Sequence, residues 1–128
     1  MLERIFLDKP LRKNDEFSYE QVNVWLNKLL DRDFEGRNII VKQLNGAKYE
    51  IERDGCSIFI KFIPNNDKKY PRNEKTPITM LVKQRNTCPV DILLFTENGF
   101  VKEMEIYTVD GSYNDGKFSV DDVEYLIY

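Results

Sequence analysis

Asn98-Gly99 restricts this chain more than any other feature, because a positive-φ pair between two alternating runs is the strongest short-range signal for a two-residue β-hairpin. The runs on either side, Val90–Glu97 and Phe100–Val109, are predicted strands. With Asn98 and Gly99 as the loop, Leu93 is expected opposite Met104 and Asp91 opposite Ile106 on one side. On the other, Leu94 is expected opposite Glu103 and Ile92 opposite Glu105. A second pair, Asp54-Gly55, predicts an earlier hairpin. Before it, Tyr49 and Ile51 alternate with Lys48, Glu50 and Glu52; after it, Cys56, Ile58, Ile60 and Phe62 share one face until Pro64-Asn65-Asn66-Asp67 ends the strand. Ile78–Arg85 reads as a further strand, so the second half predicts an antiparallel hairpin meander.

The first half has a different period. Val22, Trp25, Leu26, Leu29 and Leu30 recur at helical spacing after Ser18 and Gln21, which stand at capping-box distance. Glu20, Asn23, Asn27, Lys28, Asp31 and Arg32 mostly fall on the opposite side, predicted to face water, while Trp25 reads as a core anchor. In Asn38–Asn45 the β-branched run favours strand, whereas the Ile40 to Leu44 spacing closed by Asn45-Gly46 favours a short helix, which is the reading adopted. Toward the end, Ser119 can cap a short helix, while Tyr125-Leu126-Ile127-Tyr128 reads as an edge strand; both stay open. Helices early and hairpins late predict one α+β domain over residues 1–128, with the helices on one face of a mostly antiparallel sheet of about five strands.

A chain with eight Phe, seven Tyr and one Trp carries enough aromatic bulk to fold rather than stay disordered. A formal charge of −3 argues against non-specific nucleic-acid binding, which needs clustered Lys and Arg. The local exception is the basic loop Lys68-Lys69-Tyr70-Pro71-Arg72, inside a long polar stretch, Asn65–Thr76, that reads as either a mobile insertion or a binding loop. No apolar run reaches membrane-spanning length, and the N-terminus has no signal-peptide pattern, so a soluble cytoplasmic protein is expected, without membrane contact. In that compartment Cys56 and Cys88 read as two partly buried thiols rather than a disulfide.

The chain has no histidine, which removes the commonest neutral-pH general base, every Ser-His and Cys-His dyad and the usual zinc sites. There is neither a Gly-rich dinucleotide motif nor a P-loop, and neither cysteine has a CxxC partner. No cofactor and no metal are expected. Glu103 and Glu105 project from one strand face with Tyr107 next in line; paired carboxylates can serve as acid and base, but the reading preferred is a partner-facing or solvated sheet surface. Glu50 and Glu52 form a similar pair. The stretch from Asp110 to Asp121 has oxygen ligands at calcium-loop spacing, yet its sixth position is Asp115 where the loop needs glycine, so a plain turn is expected.

Asp33-Phe34-Glu35-Gly36-Arg37, Gln43-Leu44, Cys56-x-Ile58, the Leu93-Leu94 to Tyr107 hairpin and Asp110-Gly111-Ser112 together resemble a family of small, functionally uncharacterised bacterial α+β proteins. That resemblance spans roughly residues 26–112, implies structural motifs, and carries no catalytic residues with it. By type, an acidic α+β chain without catalytic signature is also similar to the immunity proteins that bind and neutralise bacterial polymorphic toxins, whose basic partners an acidic surface would complement. The functional expectation is therefore a non-enzymatic module whose partner is a protein, a toxin domain in the immunity reading. Its contact residues are expected to be Glu103, Glu105 and Tyr107, or Lys68, Lys69, Tyr70 and Arg72. The alternative is a small-ligand-binding or structural domain, followed by a carboxylate-based enzyme. The sequence leaves oligomeric state open.

Overall fold

In the computed structural model, which describes residues 2–12 and 17–128, two helices precede an open antiparallel sheet. Helix α1 (Tyr19–Leu29) begins where Ser18 Oγ accepts the Gln21 N–H at 3.1 Å, satisfying one of the unpaired donors of the first turn. The capping box is only half made, because the Gln21 side chain donates instead to the Gly116 carbonyl at 2.9 Å. The apolar stripe is buried as expected. Trp25, 2% exposed, meets Phe17 edge-on and stacks on Phe118, both with centroids 5.5 Å away.

The opposite side of α1 departs from the expectation of a wet surface. Asn23 is buried and accepts the Leu7 N–H at 3.1 Å. Asn27 accepts from Ile5 N–H at 2.7 Å and donates to the Ile5 carbonyl at 2.8 Å. These two amides hold the N-terminal segment along the helix, so that Ile5 and Leu7 enter the core. Helix α2 (Arg37–Leu44) settles the ambiguous segment in favour of helix.

The strands are β1 (Lys48–Asp54), β2 (Ser57–Ile63), β3 (Ile78–Val82), β4 (Val90–Glu97), β5 (Phe100–Thr108) and β6 (Val123–Ile127), in the spatial order β1-β2-β5-β4-β3-β6. The sheet therefore has six strands where the sequence suggested about five, the tail supplying the extra edge strand beside β3. β3, β4 and β5 form the meander, but β2 lies beside β5, so the long connection after β2 makes a Greek key. β3 stops at Val82, short of the predicted Arg85. In the first hairpin Asp54 pairs with Ser57, which moves the two-residue loop to Gly55-Cys56; Gly55 carries the positive φ, 58°. Cys56 is thus a turn residue rather than a member of the Ile58, Ile60, Phe62 face. Both cysteines are free.

At the second hairpin Asn98 and Gly99 both take positive φ, 53° and 85°, and Glu97 pairs with Phe100. The pairing then shifts by one between Phe95 and Thr96, leaving Lys102 as the extra residue of a β-bulge. The observed partners are Leu94 with Met104, Ile92 with Ile106, Leu93 with Glu105, and Phe95 with Glu103, which corrects the bulge-free register expected from the loop alone. The cause is core chemistry. An unbroken ladder sets Glu103 and Glu105 against Leu94 and Ile92, both buried, whereas the bulge exchanges them for Met104 and Ile106.

One sheet face carries Tyr49, Ile58, Ile60, Met104, Ile106, Leu94, Ile92 and Met80, and these form a single buried cluster with the apolar residues of α1 and α2. The other sheet face lies outside that cluster.

Candidate functional site

The sheet face outside the core is defined by cross-strand register. Glu50, Lys61, Glu103 and Phe95 form one row across β1, β2, β5 and β4; Glu52, Phe59, Glu105, Leu93 and Thr79 form the next. A third row runs Ser57, Tyr107, Asp91, Leu81 and Glu124. Neighbours within a row stand about 4.5–5.5 Å apart, so the three rows form one continuous surface. Phe59, Leu81, Leu93 and Phe95 are half-buried there, interleaved with carboxylates from Glu50, Glu52, Asp91, Glu103, Glu105 and Glu124. A solvated antiparallel face ordinarily presents polar residues at alternate positions; this one presents large apolar side chains as well.

Hydrogen bonds fix several of the acids. Lys61 Nζ lies 2.9 Å from Glu52, Ser57 donates to Glu105 at 3.0 Å, and the Tyr107 hydroxyl donates to Asp91 at 2.8 Å. That bond to a carboxylate, with partial burial, pushes the Tyr107 phenol up to about 12. The Glu52 partner raises Lys61, so the lysine remains charged inside the acidic field.

The basic loop sits elsewhere. It caps a cleft of about 1010 Å³ at the β4–β5 turn, whose walls include Lys69, Tyr70, Arg72, Lys75, Lys102 and Glu103. Glu103 is thereby shared between the cleft and the open sheet face, whereas Glu105 and Tyr107 belong only to the face. Lys69 and Arg72 line the cleft, but Lys68 does not; its carbonyl instead accepts from Gln43 at 2.8 Å. Tyr70 is buried, 4% exposed, and its ring presses on the positive-φ Gly36, where an added Cβ would come within 2.4 Å of Cε1. It anchors the loop. Arg72 makes a bidentate pair with Glu74 (2.6 and 3.0 Å) and reaches Glu35 at 3.2 Å, so its charge is used within the protein. The same bonds lower Glu74 and raise Arg72.

The residue that positions this loop was not among those expected from sequence. Gln43, fully buried on α2, accepts the Val101 N–H at 2.8 Å and donates to the carbonyls of Lys68 and Gly99 at 2.8 and 2.9 Å. Tyr70 N–H donates to the same Gly99 carbonyl at 2.7 Å, and Asn65 N–H to the Gln43 carbonyl at 2.8 Å. A polar residue at a core position of an apolar helix was the available sign.

The Asp110–Asp121 stretch is a series of turns. Asp110 Oδ1 accepts from Ser112 N–H at 2.9 Å, and Asp115 Oδ1 accepts from Lys117 N–H at 2.8 Å. The Ser112 hydroxyl and N–H hold the Asp110 carboxyl below its usual range. Among the described residues no group of three or more His, Cys, Asp or Glu is placed to hold a metal ion, and no helix is long and apolar enough to cross a membrane. No family model, curated protein or solved structure matches the chain.

Proposed function

We propose that this protein is a non-enzymatic protein-binding module that uses the open sheet face to engage a basic partner. One observation carries the reading: Phe59, Leu81, Leu93 and Phe95 lie half-buried among six carboxylates on a face outside the core cluster. Apolar side chains at the centre supply affinity when desolvated, and the surrounding acids steer a cationic surface and set its orientation. An immunity protein occluding the nucleic-acid-binding face of a toxin is the specific form favoured by this charge pattern, since such a toxin surface is basic.

Affinity capture by the tagged protein from lysate of the source cells, with native mass spectrometry of the eluate, tests it. The expected result is a stoichiometric complex with a basic protein that weakens as salt rises and is lost on Glu103→Lys/Glu105→Lys substitution. Binding that survives both charge reversals undiminished refutes the sheet-face reading. A second reading, small-ligand binding, rests on the cleft lined by Lys69 and Lys75, where Lys102 is already paired with Glu97 at 2.7 Å. It predicts thermal stabilisation by small anions that is abolished by Lys75→Ala and untouched by the Glu105 change.

A further inference from the structure

We propose that β6 is a strand-addition edge that pairs with β6 of a second copy, joining two sheets about a two-fold axis at Tyr125. The two edges of the sheet are treated differently. At the start of β1 the N-terminal segment supplies backbone partners, with Asp8 N–H to the Ala47 carbonyl just before the strand at 2.9 Å and Leu11 N–H to the Tyr49 carbonyl at 2.7 Å. Beyond β6 no strand follows among the described residues, and Leu126, Ile127 and Tyr128 are 54%, 44% and 50% exposed.

The phase of the hydrogen bonds identifies which groups are free. Lys83 N–H donates to the Asp122 carbonyl at 2.8 Å, and Tyr128 N–H donates to the Pro77 carbonyl at 3.1 Å, so residues 122 and 128 turn their backbone groups toward β3. In an antiparallel strand that direction alternates residue by residue. Val123, Tyr125 and Ile127 therefore aim their N–H and C=O groups outward.

A two-fold axis perpendicular to the sheet keeps the two open faces on the same side and requires partners of like parity. With Tyr125 facing its own copy, Val123 falls opposite Ile127, and each of these pairs exchanges both N–H···O bonds. On the open face Glu124 falls opposite Leu126 rather than another Glu124, so like charges do not meet, and Lys83 already neutralises Glu124 within its own chain. The Tyr125 side chain is drawn back over its own helix, its hydroxyl donating to the Lys28 carbonyl and its ring lying 4.3 Å from the Arg32 guanidinium carbon. Among the described residues no further strand pairs with the outer edge of β6. Because the partner surfaces are the same patch on both copies, the pairing closes at two.

An interface of this kind is small, which places the expected dissociation constant at roughly 10–1,000 μM. Sedimentation velocity of the full chain across that range should show a concentration-dependent monomer–dimer equilibrium. Ile127→Pro removes one outward donor and leaves the β3 ladder intact, since proline is tolerated on an edge. This variant should remain monomeric at every concentration with its melting temperature retained. Register is tested in a Cys56→Ser/Cys88→Ser background by mixing Glu124→Cys and Leu126→Cys chains under oxidised glutathione. Non-hydrogen-bonded partners stand about 4.5 Å apart at Cα, within disulfide reach. The mixed disulfide should therefore form ahead of either like-with-like product, and this measurement decides the matter should the proline variant not fold. A monomer throughout the range, a dimer unaffected by the proline, or cross-linking without preference for the mixed product would each overturn the proposal.

Discussion

Gln43→Leu should be among the most damaging single substitutions in the chain, although it places an apolar residue in a fully buried site. The side chain fits, but three hydrogen bonds disappear: Val101 N–H to Oε1, and Nε2 to the carbonyls of Lys68 and Gly99. The Gly99 carbonyl keeps Tyr70 N–H, and the Lys68 carbonyl belongs to an exposed residue that can reach water. Val101, fully buried, has no such recourse, and an orphaned buried N–H costs about 1–3 kcal/mol. Losing the two remaining bonds adds roughly 0.5–1.5 kcal/mol each, partly offset by the apolar gain of leucine, giving a net loss of about 2–4 kcal/mol. Urea unfolding followed by Trp25 fluorescence measures it. The same substitution should release the Lys68–Lys69 segment to trypsin, because the clamp between α2, loop and hairpin is gone. A loss below about 1 kcal/mol with unchanged proteolysis would refute the assignment of Gln43 as that clamp.

Tyr70→Phe should have the opposite sign. The Tyr70 hydroxyl is buried with no hydrogen-bond partner among the described residues, so its removal is expected to leave stability unchanged or raise it by about 1 kcal/mol, and a comparable loss would show a hidden partner. Gly36→Ala forces a Cβ into the Tyr70 ring at a φ of 87° and should cost about 2–4 kcal/mol by urea unfolding, and the same substitution should cost less when made in a Tyr70→Ala background; an equal cost in both backgrounds would place it in the backbone alone. Tyr49 and Tyr107 are both pushed up to about 12, by burial and by the Asp91 bond respectively. A raised folded-state pKa means that their stabilising contribution is fully present below the unfolded phenol value of about 10 and is lost as pH climbs to about 12. Melting temperature should fall across that window, less steeply in Tyr107→Phe, and a slope identical to that of the parent would remove Tyr107 from the account.

Periodicity carried the elements that bury one clean face. The stripe from Val22 to Leu30 and the presence of two strands flanking Asn98-Gly99 could be read directly, whereas the register between those strands could not. What escaped were polar residues doing structural work. Asn23 and Asn27 look like solvent-facing helix positions and Gln43 interrupts an apolar run, yet each serves the backbone of a distant segment that the sequence pattern does not identify. β6 was legible as a possibility but not as a fact, because five residues of mixed exposure acquire a strand conformation only from β3 beside them.

The Lys102 bulge joins fold to site most directly. Val101, Met104 and Ile106 are buried, a spacing of three and then two that simple alternation does not produce, and the irregular step between Val101 and Met104 marks the extra residue in the sequence itself. Had the strand run regularly from the Asn98-Gly99 turn, Glu103 and Glu105 would point into the core and Met104 and Ile106 into water. The inserted residue reverses this for everything beyond it, bringing Glu103, Glu105 and Tyr107 into line with Glu50, Glu52 and Asp91 on the open face. Two of the six carboxylates on that surface, Glu103 and Glu105, are thus placed there by one residue of register on one strand, because the core on the other side cannot accept them.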